Sequence, residues 1–232
     1  MASTDPIVRA GERVYSILKE RLLDGHYRPG QRLNADGLAV ELGVSRQPIF
    51  DAFKRLSTEG LVSVKPHVGC RVATYDTAEL RDYFHMFAAV EGAAAALAAE
   101  RRSDEALTAI RRLHAQIGGL VNLPSGDERA QSYRALNRQF HSMIHAMCGA
   151  PIVESFGAAM YDPADFFINS SSPVSPFADS IPGRHREHGV IVAGIEAGDP
   201  EAARTAASAH IFDTVALIQR TIERSSGPVA GD

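Results

Sequence analysis

The sequence predicts a mostly α protein. An N-terminal winged helix-turn-helix (three helices plus a β-hairpin) should precede an all-α, six-helix antiparallel bundle. Three observations carry this expectation. Strand-type patterning is confined to LVSVKPHVGCRVA at 61–73, and elsewhere apolar residues recur at helical spacing. Glycine and proline fall between the helical stretches, at Gly25, Pro29-Gly30, Gly43, Gly60, Gly149 to Pro151 and Gly198. Charge also divides the chain. Up to Tyr75 there are 11 Lys and Arg against 8 Asp and Glu, a net of +3, and the remainder carries 13 against 20, a net of −7. The overall net charge of −4 hides this split. Domains are expected at 1–75 and 76–224, with a flexible tail at 225–232.

Each front element follows from its residues. Val14, Ile17, Leu18 and Leu22 repeat at helical spacing, and Gly25 ends that helix. HYRPGQRL reads as a Pro-Gly turn, and Leu38, Ala39 and Leu42 mark a short second helix stopped by Gly43. Ser45 is placed to cap a third helix through its hydroxyl, and Pro48 is tolerated in that first turn. Ile49, Phe53 and Leu56 form its apolar stripe. Two short strands then flank a turn from Lys65 to Gly69.

The back half shows no strand pattern. Asp76 with Glu79 opens a helix running to about Arg101, and Ser103 or Asp104 caps a second that ends near Leu123-Pro124. A third spans about Asp127 to Cys148. A fourth begins at Pro151 and is expected to be cut by Asp162-Pro163, with an irregular connection over INSSSPVSPFADSIPG. A fifth spans about Arg184 to Ala197. Asp199-Pro200 starts a sixth that runs to about Arg224.

Several classes are excluded. No apolar run reaches the ~18 residues that a membrane helix needs. The start, MASTDPIVRAGERV, lacks a signal-peptide pattern, so a cytoplasmic location is expected. Cys70 and Cys148 form no metal or redox motif and suit a reduced compartment.

The third helix should enter a DNA major groove, presenting Arg46, Gln47, Lys54 and Arg55. Arginine pairs with guanine and glutamine with adenine. Lys54, Arg55 and Arg32 suit phosphate contacts, and Lys65 and His67 stand at the hairpin tip. In the bundle, Asn137 and His141 lie one turn apart, with His188 and His210 on the two last helices. Converging imidazoles suit a first-row divalent ion, but scattered histidines are more often core-packed or exposed, so spacing alone favours packing.

The segment from Arg28 to Val72 resembles the DNA-binding domain of the GntR family of bacterial regulators. The resemblance rests on Pro29-Gly30, Arg32-Leu33, Leu38-Ala39, Val44-Ser45-Arg46-x-Pro48, Leu56, Gly60-Leu61 and Gly69. It adds Ser45 and Gly69 to the DNA-binding set. Phe50 stands where the family usually has a second Arg, Gln47 where Thr is common, and His67 where Arg is frequent. The back half is similar to the FCD effector domain of the FadR branch, in its shorter, VanR-like form. Asn137-x-x-Phe140-His141, Glu187-His188 through Gly198-Asp199, and Ala206-Ala207-x-x-His210 carry that likeness.

The resemblance implies a divalent metal, zinc or nickel, on Asn137, His141, His188 and His210, and a small carboxylate effector beside it. An Arg common in the family's first effector helix is replaced by Phe87 and Ala88, which points to a more aromatic acid. Arg134 is the expected substitute cation. The chain is therefore expected to be no enzyme. It should be a transcription regulator, a repressor, that binds a palindromic DNA operator as a homodimer under effector control. The alternatives are a metal-dependent hydrolase built on the histidines and a DNA-binding protein without an effector.

Overall fold

The structure is a computed structural model that describes residues 6–65, 68–124, 126–170 and 180–225. By its contacts the chain forms two units, residues 1–76 with 162–173, and residues 77–161 with 174–232.

In the first unit, Val14, Leu18 and Leu22 are buried along one face of α1 (Pro6–Leu23), which packs on α3 (Arg46–Thr58). α3 returns Ile49, Ala52, Phe53 and Leu56 to that contact. Between them runs α2 (Ala35–Leu42), capped by the Asn34 side chain, which accepts from the amides of Asp36 and Gly37. The expected hairpin is present as β2 (Val62–Lys65) and β3 (Gly69–Val72).

Two details differ from expectation. A two-residue strand, β1 (Arg32–Leu33), joins the far side of β3, giving the order β1-β3-β2. Two residues are too few to show an alternating pattern, so the sequence read only a turn there. Ser45 does occupy the cap position of α3, but its hydroxyl makes no capping hydrogen bond.

The second unit is built around α4 (Thr77–Arg101), which packs on α6 (Asp127–Cys148), α8 (Ile181–Ala197) and α9 (Pro200–Ser225). Its small residues allow close approach. A side chain at Gly92 would meet the Ser208 hydroxyl oxygen at 2.4 Å. α5 (Asp104–Gly119) is capped by Ser103 as expected and ends in a 3-10 turn at Leu120–Asn122. The six long helices of the bundle were all foreseen.

The expected break at Asp162-Pro163 was not found. α7 (Pro151–Ser170) runs through Pro163 without interruption. Proline removes one backbone donor and crowds the preceding turn. The Tyr83 hydroxyl donates to the Met160 carbonyl within that turn, and Phe166, Phe167 and Ile168 beyond it are buried. These tertiary terms keep the helix continuous. Of the expected irregular connection, 171–179 lies outside the described residues, and so does 226–232 of the expected tail. α8 begins at Ile181, a turn earlier than expected. Among the described residues no helix is long and apolar enough to cross a membrane.

Candidate metal centre and DNA-reading face

Three helices of the second unit bring His141 (α6), His188 (α8) and His210 (α9) together. All three are buried, and their ligand atoms lie within 4.8 Å of one another. Two carboxylates orient them. His141 Nδ1 lies 2.7 Å from Glu91 on α4, and His210 Nδ1 lies 2.9 Å from Glu187 on α8. An ionised carboxylate only accepts, so each Nδ1 carries its proton, and in the neutral ring Nε2 keeps a lone pair. His188 Nε2 faces His210 Nε2 at 3.2 Å. Its Nδ1 is buried without a hydrogen-bond partner among the described residues.

Burial pushes the pKa of His188 and His210 well below the usual value, and the charges of His141 and Arg184 add to this. Neutral imidazoles are the form that binds metal. A buried, convergent nitrogen set with carboxylate-fixed rings fits a divalent ion.

Glu91 was not singled out from the sequence. It accepts from His141, from His145 Nε2 at 2.6 Å and from the Tyr161 hydroxyl at 2.9 Å. Burial would raise its pKa, but His141 and His145 outweigh this and hold it below the usual carboxylate range. The available signal was a lone carboxylate inside the apolar run AAVEGAAAALAA, since a charge on a buried face must find partners. His145 is a hydrogen-bonded member of this cluster.

Asn137 sits one turn before His141, and its carbonyl oxygen accepts from the Tyr133 hydroxyl at 3.1 Å. Phe87 is buried edge-on against Tyr161, with ring centres 5.2 Å apart. Arg134 lies half-buried on α6. Among the described residues, Arg184 is a cation that meets the histidines, donating to His210 Nε2 at 2.9 Å. His114 and His185 stack on each other at 4.0 Å, and His85 lies edge-on to Phe212.

On the first unit, α3 turns Arg46, Gln47, Phe50 and Lys54 to solvent as one stripe. Arg46 pairs with Asp36, and Gln47 donates to Asp51 at 2.9 Å. Phe50 is 52% exposed. Arg55 lies apart from this stripe. Its guanidinium covers the Tyr15 ring at 3.7 Å and bonds Glu12 at 2.6 Å, so it braces α3 on α1. Arg32 and Lys65 are exposed on β1 and β2, and Gly69 (φ 103°) opens β3 across from Lys65. His67 lies outside the described residues.

Comparison with known proteins agrees with this fold. Residues 10–72 match the family described as bacterial regulatory proteins, gntR family, and residues 82–213 match the FCD domain. The Nta operon transcriptional regulator of Aminobacter aminovorans is 32% identical over 116 residues, which cover 50% of this chain and 53% of that protein. A probable D-xylose utilization operon transcriptional repressor of Paenarthrobacter nicotinovorans is 28% identical, over 86% of this chain and 84% of that protein. The solved structure of E. coli McbR/YncC is similar in fold, with a TM-score of 0.73 at 21% identity over 95% of this chain and 99% of that one. The chain belongs to the gntR family of bacterial regulatory proteins, in the FCD-bearing branch, and is a DNA-binding transcription regulator rather than an enzyme.

Proposed function

We propose that this regulator is a repressor that binds a palindromic operator as a homodimer and releases it when a small organic acid binds beside a divalent metal in the FCD bundle. The observation that carries the reading is the buried triad His141, His188 and His210, whose ligand atoms converge while Glu91 and Glu187 hold the rings of His141 and His210. Zinc or nickel suits this nitrogen-rich set, with the Asn137 carbonyl as a neutral fourth ligand. The metal would supply positive charge for an anionic ligand. Phe87 would give an aromatic acid an apolar wall.

On the DNA side, Arg46 and Gln47 are the base readers, and Arg32, Ser45, Lys54, Lys65, His67 and Gly69 hold the backbone. Arg55 joins them only by leaving Glu12. Phe50 offers an apolar edge suited to a thymine methyl group.

A mobility-shift titration on DNA upstream of the protein's own gene tests this. Salt-sensitive, sequence-preferring binding that weakens with an organic acid only when zinc is present is expected. Binding indifferent to sequence refutes it. Metal analysis separates the alternative of a DNA-binding protein without an effector, because that reading gives the triad no ion.

A further inference from the structure

We infer that Arg184 is an internal cation that occupies the metal's place on His210 in the metal-free protein and anchors the effector's carboxylate once metal is bound. The inference rests on the metal and effector reading above and names the group within it that couples the two. Arg184 is only 4% exposed and stands one turn before His188 on α8. One guanidinium nitrogen bonds Glu187 at 2.7 Å and the His210 carbonyl at 3.0 Å. The other bonds His210 Nε2 at 2.9 Å and the Thr214 hydroxyl at 2.6 Å.

Two arguments lead from these contacts to the role. The first is lone-pair accounting. His210 Nδ1 spends its proton on Glu187, so Nε2 holds the ring's one available lone pair. That lone pair now takes an N–H of Arg184. It cannot serve the guanidinium and a metal ion together, so metal must displace this contact.

The second is charge. With neutral imidazoles, the carboxylates hydrogen-bonded to the triad among the described residues are Glu91 and Glu187. Glu91 already accepts from His141, His145 and Tyr161. A divalent ion added beside the guanidinium brings three positive charges against two negative ones. Burial makes that excess costly. A single carboxylate restores balance. One oxygen can meet the metal and the other the N–H that Arg184 withdrew from His210, a charge-assisted pairing that a guanidinium favours. Metal and carboxylate then bind cooperatively, because each supplies what the other lacks.

The test measures zinc affinity by chelator competition in wild type, Arg184→Met and Arg184→Lys, with acetate or its neutral isostere acetamide. Wild type should bind zinc about tenfold more tightly with acetate and show no change with acetamide. Arg184→Met should bind zinc more tightly than wild type without acetate and gain nothing from it. Arg184→Lys keeps the charge but loses the fork, so it should keep the wild-type affinity for zinc alone and lose most of the acetate effect. A purely structural Arg184 would leave the acetate effect intact in both variants, and that result overturns the inference. Zinc binding unaltered in Arg184→Met overturns it too. Wild type that binds no zinc would instead overturn the underlying metal reading.

Discussion

Replacing Glu91 with glutamine should disable the metal site from outside the ligand set. Glu91 offers two charged oxygens to three buried donors at 2.6, 2.7 and 2.9 Å. Glutamine has nearly the same shape but one acceptor oxygen and one NH2 group. If the oxygen stays with His145 and Tyr161, the NH2 group faces His141 Nδ1. The ring must then move its proton to Nε2, the atom that should hold metal. If the amide turns over, the same conflict moves to His145, and His141 still loses its charged partner. Loss of such an outer carboxylate typically lowers metal affinity by about 10–100-fold. Bonds to a charged acceptor are each worth about 1.5–3 kcal/mol and neutral ones about 0.5–1.5, so stability should also fall by about 1–3 kcal/mol. Chelator competition with zinc and urea unfolding of the apo-protein read the two effects separately. A folded Glu91→Gln protein with wild-type zinc affinity would refute the argument that Glu91 sets the His141 tautomer.

Other outcomes follow from single contacts. If Phe50 meets a thymine methyl, replacing one operator thymine with deoxyuridine should weaken wild-type binding and leave Phe50→Ala unaffected. Equal loss in both proteins would contradict it. Lys54→Ala should lower affinity for all sequences about equally and reduce the slope of log affinity against log salt by about one. A sequence-dependent loss would make Lys54 a base reader instead. Gly157→Ala would place a methyl group 1.9 Å from the His145 ring. It should cost about 1–3 kcal/mol by urea unfolding, because the ring must leave its packed place on Glu91. Unchanged stability would show that His145 moves freely.

Much of this molecule is legible in its residues, and the misses share a cause. The bundle helices could be drawn because their ends carry local signals such as Ser103, Asp199-Pro200 and Gly198. Pro163 misled because its disruption is local, whereas the Tyr83 contact and the buried Phe166 and Phe167 that offset it come from tertiary packing. β1 was missed because its only evidence is the partner strand that it meets. The three histidines could be named from spacing and resemblance, but Glu91 could not, since nothing beside it in sequence shows which helices will enclose it. The cation shows the same limit. Arg134 stands one turn before Asn137 and Arg184 one turn before His188, so periodicity treats them alike. Only helix packing sets Arg184 against His210.

On the proposed function, the FCD bundle of this DNA-binding protein holds one divalent metal on His141, His188 and His210. Metal analysis of protein equilibrated with zinc and then desalted tests it most directly, comparing wild type with His188→Ala. One zinc per wild-type chain and none in a folded His188→Ala protein is the expected result. Zinc retained equally by both, or by neither, would contradict it.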